Sequence, residues 1–142
     1  MPKIIMNSII GVMLLLCTIQ DLKQKEVRIW MIGIGAILLC ICVPFCNSFS
    51  LIDCIGGILV GGSVVLISKA TRGKVGMGDG LILCATGIGL GLWGNLELFA
   101  FALFMAAVLC IVLLILRLVD RKKSIPFVPF LFLSYLGILF VK

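Results

Sequence analysis

Long apolar runs follow one another along the chain, separated by short charged or turn-forming breaks. A helix needs about 20 mostly apolar residues to cross a membrane, so each long run is a candidate transmembrane helix. The six runs cover residues 4–20, 29–46, 51–68, 80–95, 97–118 and 125–141. The pattern predicts an all-α polytopic membrane protein with about six transmembrane helices, which form a single membrane-embedded domain over residues 1–142.

The boundary between the fourth and fifth runs is marked only by Gly94 and Asn95. Residues 80–118 are nevertheless too many for one crossing. Because glycine and asparagine are both typical of turns, we expect a helical hairpin that turns at Gly94–Asn95.

The composition agrees with a lipid environment and removes several classes of chemistry. The chain is 63% hydrophobic and 13% charged, whereas a soluble domain carries roughly 25% charged residues. It contains no histidine, which excludes Ser-His, Cys-His and histidine–zinc mechanisms. The first run lacks a small-x-small cleavage site, so we expect a retained helix rather than a signal peptide.

Positive charges are concentrated in alternate breaks between the runs. Ten of the twelve basic residues lie there: Lys23, Lys25, Arg28, Lys69, Arg72, Lys74, Arg117, Arg121, Lys122 and Lys123. The positive-inside rule places these breaks in the cytoplasm and both termini on the other side of the membrane. Anionic lipid headgroups account for the net charge of +6, so we expect no nucleic-acid partner.

Most cysteines and glycines lie within the apolar runs. Without histidine or C-x-x-C spacing, the cysteines are interpreted as small apolar fillers, and we expect no metal site. Cys46 and Cys54 flank one predicted loop, where a disulfide is the alternative. Gly57 and Gly61 form a G-x-x-x-G step, which permits close contact between helices.

Four of the six acidic residues have local explanations. Asp53 follows Ser50 at capping-box spacing, and Glu97 lies at the start of the fifth run, so both suit helix N-termini. Glu26 and Asp120 stand beside basic residues and are expected to be solvated loop charges.

The other two acids, Asp21 and Asp79, are expected at the cytoplasmic boundary of the membrane. A pair with Lys25 would explain Asp21 structurally, and an N-cap role would explain Asp79. Glycines on both sides of Asp79 favour a close backbone approach and a positive φ, which a simple cap does not require. Two converging carboxyl groups hold one proton between them. One can then take a proton from water while the other hydrogen-bonds a carbonyl, as in aspartic proteases.

Three segments, in this order, resemble the type IV prepilin peptidases, a family of membrane-embedded aspartic proteases marked by a GxGD motif. Residues 21–22 (Asp-Leu) resemble the segment with the first catalytic aspartate, and residues 76–79 (Gly-Met-Gly-Asp) resemble the GxGD motif. Residues 125–130 resemble the proline-aromatic run that opens the last helix of the family.

The resemblance implies an aspartic-type endopeptidase with Asp21 and Asp79 as catalytic residues. It also implies that Gly76 and Gly78 let the substrate or the loop backbone approach Asp79. No metal and no other cofactor is implied. The substrate would be a prepilin or pilin-like protein with a short basic leader before an apolar helix. Cleavage would occur at the cytoplasmic face of the cell (inner or plasma) membrane, the face that the loop charges indicate for both aspartates.

The chain departs from this family in three places. Residues 27–29 read Val-Arg-Ile where members usually show Ile-Pro-Asn, and Leu81 stands where many carry lysine. Only residues 21–28 connect the first two helices, so the cysteine-bearing loop that accompanies N-methyltransferase activity in larger relatives is missing. We therefore expect a minimal peptidase without methyltransferase activity.

Two other functions fit parts of the pattern. Membrane-embedded carboxylates and glycine-rich helices also occur along ion paths, so a small proton-coupled transporter is one alternative. A non-catalytic subunit of a pilus or secretion assembly is the other. No oligomeric state is predicted.

Overall fold

The computed structural model describes residues 2–24, 28–45, 50–72, 76–116 and 126–141, which contain helices and no strand. The helices are α1 (Pro2–Gln24), α2 (Ile29–Cys42), α3 (Leu51–Ala70), α4 (Met77–Ile115) and α5 (Val128–Val141), with a short 3-10 turn at Val43–Phe45. Helices α1, α3 and α4 each contain a segment long and apolar enough to cross a membrane, and α2 and α5 are shorter apolar helices. This architecture agrees with an all-α membrane protein, although the predicted fourth and fifth runs fall within one helix, α4.

The helix ends refine the predicted boundaries. Ser50 is the N-cap of α3, and its hydroxyl accepts a hydrogen bond from the Ile52 amide at 3.3 Å. Helix α1 continues to Gln24, past the predicted end at residue 20, so Asp21 lies inside the helix. Helix α5 begins at Val128 rather than at residue 125.

The core is built mainly from α1, α2, α4 and α5. Its fully buried side chains include Ile10, Leu14, Leu39, Ile82, Leu98 and Leu131. The outside is also apolar, and Trp30, Phe104 and Phe140 are 84%, 68% and 89% exposed. Large apolar surfaces of this kind suit contact with lipid and are rare on soluble monomers.

Helices α3 and α4 pack backbone against backbone. At three successive positions a glycine lies so close to the facing helix that a side chain in its place would not fit. The pairs are Gly57 with Gly87, Gly61 with Cys84 and Gly80 with Val65. As residue numbers rise along α3 they fall along α4, so the two segments run antiparallel. The predicted close contact at Gly57 and Gly61 is confirmed.

The chain folds back within α4 at Gly91. This residue has φ 72° and ψ −173°, a conformation that is essentially restricted to glycine. The side-chain amide of Asn95 donates a hydrogen bond to the Leu83 carbonyl at 2.9 Å, although these residues would be about 18 Å apart along a straight helix. The turn predicted at Gly94–Asn95 is therefore corrected to Gly91.

Asn95 is the centre of a buried polar network. Its side-chain nitrogen donates to the carbonyls of Gly57 and Leu83, both at 2.9 Å, and its side-chain oxygen accepts from the Thr86 hydroxyl at 2.8 Å. Asn95 and Thr86 are fully buried. The network joins α3 to the two parts of α4, so a polar residue expected in a turn instead holds the folded-back chain together.

Replacing Gly61 by alanine is expected to destabilise the fold by about 1–3 kcal/mol, because the added methyl group would overlap the backbone of Cys84. Thermal unfolding of the purified protein in detergent micelles measures this as a lower midpoint. Gly62→Ala is the matched control, since a Cβ at Gly62 meets no atom within 4 Å. Equal midpoints for the two variants would contradict the close packing of α3 on α4.

Replacing Asn95 by alanine is expected to cost about 1–3 kcal/mol, because buried carbonyls of Gly57 and Leu83 lose their side-chain donor. The same unfolding measurement checks it. Ser63→Ala serves as the control, since the exposed Ser63 hydroxyl bonds only to the Val60 carbonyl of its own helix. An Asn95→Ala protein as stable as the control would show that the network does not hold the turn.

Candidate active site

Asp21 is a buried carboxylate near the end of α1, with 8% of its surface exposed. Its Oδ2 accepts a hydrogen bond from the backbone amide of Val128 at 3.2 Å. Val128 is the first residue of α5. The contact therefore fixes the orientation of the carboxylate and joins the first helix to the last.

The start of α5 leaves this amide available. The first amides of a helix have no partner within it. Pro129 has no N–H, while the amides of Phe130 and Leu131 donate to the Phe127 carbonyl at 3.0 and 3.4 Å. The ring of Phe127 packs edge-on against Phe99, with 6.5 Å between centroids. The Val128 amide is thus aimed at Asp21, and a helix N-terminus favours a carboxylate there.

Asp79 lies in the first turn of α4 and is half-buried. The N-cap of this helix is Gly76, so the alternative of Asp79 as N-cap is wrong. A Cβ on Gly76 would come within 2.6 Å of Asp79 Oδ2. Gly76 has φ −60° and, like Gly78, does not adopt the expected positive φ. A side chain at position 76 would therefore require the Asp79 carboxylate to shift.

The structure brings the two aspartates to the same end of the helix bundle. They lie close enough for the charge on Asp21 to act on Asp79. Gly89, ten residues further along α4, lies against Ile10 of α1, which keeps the two helices adjacent. Because two neighbouring carboxylates repel each other, the pair is suited to hold one proton.

Exposed basic residues surround this end of the bundle. Lys23 follows Asp21 by two residues, and the Arg28 amide donates to Gln20 Oε1 at 3.3 Å. Lys69 and Arg72 lie at the end of α3, close in sequence to the start of α4. The other predicted members of the basic group, Lys25, Lys74, Arg117, Arg121, Lys122 and Lys123, lie outside the described residues. The proposed pair of Asp21 with Lys25 therefore stays a prediction.

The remaining acids lie elsewhere or outside the described residues. Asp53 is in the first turn of α3, as predicted. Glu97 is an exposed residue within α4, six residues past the turn at Gly91, so its predicted position at a helix start is wrong. Glu26 and Asp120 lie outside the described residues.

Two cysteines contribute to the contact between α3 and α4. The Cys54 thiol donates to the Ile88 carbonyl at 3.5 Å, and the Cys84 thiol donates to the Ile58 carbonyl at 3.6 Å. Within the described ranges, no group of three His, Cys, Asp or Glu residues is arranged to hold a metal ion. Cys46 lies outside those ranges, so the alternative of a disulfide with Cys54 stays a prediction.

Sequence reasoning missed the contribution of Val128. The chain carries no signal for it, because a backbone amide has no side-chain signature. Asn95 did carry a signal, since a lone amide side chain within an apolar stretch must be turned outward or hydrogen-bonded internally.

The paired carboxylates can perform acid–base chemistry without histidine. The ionised member can take a proton from water while the protonated member donates a hydrogen bond to a carbonyl oxygen. In comparisons with known proteins, no family model, no curated protein and no solved structure matches the chain. The resemblance to prepilin peptidases therefore rests on the sequence of this chain alone.

Proposed function

We propose that the chain is a membrane-embedded aspartic endopeptidase that removes the short basic leader from a prepilin or pilin-like protein. The observation that supports this most is that Asp21 and Asp79, 58 residues apart in sequence, lie close enough for the charge of one to act on the other. Of the other acids within the described residues, Asp53 lies in the first turn of α3 and Glu97 lies within α4, past the turn at Gly91. Hydrolysis by this pair requires neither a metal nor another cofactor.

In the proposed reaction, the ionised member of the Asp21/Asp79 pair removes a proton from water. The resulting hydroxide attacks the last peptide carbonyl of the leader, while the protonated member donates a hydrogen bond to the carbonyl oxygen. The tetrahedral intermediate collapses when the leaving amine takes up the proton that the aspartate removed from water, so the pair again holds one proton and the leader is released. The Val128 amide keeps the Asp21 carboxylate in place during these steps.

The proposed topology has six membrane spans in the cell membrane. The turn at Gly91 divides α4 into residues 77–90 and 92–115, which would count as two of the six. The end that carries the aspartates and the exposed basic residues would face the cytoplasm, by the positive-inside rule. Both termini would then lie on the opposite side. This orientation puts the carboxylates at the face where the leader of a membrane-anchored pilin enters.

The short connection between α1 and α2 supports a peptidase without methyltransferase activity. Helix α1 continues to Gln24 and α2 begins at Ile29, so only residues 25–28 lie between the two helices. Such a connection has no room for the additional cysteine-bearing loop of larger prepilin peptidases.

Replacing either aspartate by asparagine is expected to abolish cleavage, because an amide can neither remove a proton from water nor share one with its partner. The measurement is co-expression with a leader-bearing pilin-like protein, followed by the size shift of the substrate. Asp21→Asn and Asp79→Asn are compared with Asp53→Asn, which changes an acid in the first turn of α3, away from the proposed site.

Asp53→Asn should process the substrate like the native chain. Processing that survives Asp21→Asn and Asp79→Asn would contradict the aspartic mechanism. If the native chain itself does not cleave the substrate, but a pH gradient drives proton movement through purified protein in vesicles, the transporter alternative is favoured.

Replacing Gly76 by alanine is expected to slow cleavage by about 10- to 100-fold, because its methyl group would displace Asp79 Oδ2. Stability should change little, since the obstructed atom ends a flexible side chain. Gly33→Ala is the control, as a Cβ there meets no atom within 4 Å. Initial rates and thermal midpoints are measured together. A Gly76→Ala protein with native rates would contradict the requirement for space beside Asp79.

A further inference from the structure

A pair of cysteines lies away from the aspartates, where α2 ends and α3 begins. Cys40 is two residues before the end of α2, and Cys54 is three residues after the start of α3. Both therefore lie within one helical turn of the helix ends that residues 43–50 connect. Both thiols are free, and Cys40 is exposed whereas Cys54 is buried. One member of the pair is thus accessible from outside the bundle, and the other is held inside it.

Helix α4 brings these two cysteines together. The Cys54 thiol donates to the Ile88 carbonyl at 3.5 Å. Leu39, which precedes Cys40, packs on the next residue of α4, since its Cδ2 lies 3.3 Å from the place that a Cβ on Gly89 would take. Helices α2 and α3 therefore meet the same short backbone segment of α4. The two thiols lie close enough to act on each other electrostatically.

The side of the membrane decides whether such a pair is oxidised. Disulfides form and persist in oxidising compartments and are rare in the cytoplasm. Asp79 precedes Ile88 by about 14 Å along α4, so the aspartates and the cysteines lie at different levels of the bundle. In the proposed orientation the aspartates face the cytoplasm, and the cysteines therefore lie towards the oxidising side of the membrane.

We propose that Cys40 and Cys54 form a disulfide that joins the end of α2 to the start of α3. The bond forms by exchange with the disulfide of an extracytoplasmic thiol–disulfide oxidant. The exposed Cys40 thiol loses its proton, and its sulfur attacks the oxidant disulfide, from which one thiolate leaves. The Cys54 thiolate then attacks the mixed disulfide and releases the second oxidant thiolate. The two protons lost by the cysteines convert these thiolates to thiols, so the cysteine pair is oxidised and the oxidant is reduced.

Mass spectrometry of the full chain tests the proposal. Membranes are treated with N-ethylmaleimide, which blocks free thiols and prevents exchange, and the chain is then digested without reduction. The expected result is a peptide pair linked through Cys40 and Cys54, which dithiothreitol separates. Alkylation of both thiols, or a link from Cys54 to Cys46, would overturn the proposal. The proposal rests on the proposed orientation, but the measurement involves no cleavage, so its failure is distinct from a failure of the peptidase mechanism.

Thermal unfolding in detergent provides a second readout. A disulfide between positions 40 and 54 restrains the unfolded chain, so dithiothreitol should lower the midpoint of the native chain by several degrees. Cys40→Ser should show the lower midpoint without reductant and no further shift with it. Cys110→Ser, at an exposed cysteine of α4, is the matched control and should respond like the native chain. A native chain that ignores the reductant, or a Cys40→Ser chain that responds equally, would overturn the proposal.

Discussion

The backbone contact between α3 and α4 is the constraint on which the other features depend. In lipid, apolar helices gain little by hiding apolar surface, so association depends on close packing and on hydrogen bonds between helices. Gly57 and Gly87 permit that packing. The Gly57 carbonyl also accepts from Asn95, so the same contact secures the turn of α4. Gly80 of α4 packs on Val65 of α3, so the register between these helices determines the position at which α4 begins. Asp79, the residue before Gly80, is positioned by the same contact.

The site depends on two further helix contacts. Tyr135 of α5 donates to the Asn7 carbonyl of α1 at 2.7 Å, and the Val128 amide of α5 donates to Asp21 of α1. These bonds fasten α5 along α1 at two levels, so the start of α5 stays beside the carboxylate. The site is thus formed by three helix ends: the end of α1 and the beginnings of α4 and α5. Each end supplies one polar group, namely Asp21, Asp79 or the Val128 amide.

The apolar runs predicted that the chain is helical, because a backbone in lipid must hydrogen-bond its own N–H and C=O groups. They could not place the turn in α4, since Gly91 and Gly94 are equally plausible by composition and only tertiary contacts select the former. The positions of the charges, and the local explanations for the other four acids, select Asp21 and Asp79 from the sequence alone. The space that Gly76 provides and the bond from Val128 could not be foreseen, because both follow from how helices distant in sequence meet.

The central claim is that Asp21 and Asp79 form one site, and cross-linking measures it most directly. In a chain whose seven native cysteines are replaced by alanine, Asp21→Cys and Asp79→Cys are combined and treated in membranes with a short bifunctional thiol reagent. Rapid formation of an intramolecular cross-link, absent when Asp21→Cys is combined with Asp53→Cys, is the predicted result. Failure of the first pair to cross-link, or equal cross-linking of both pairs, would contradict the account.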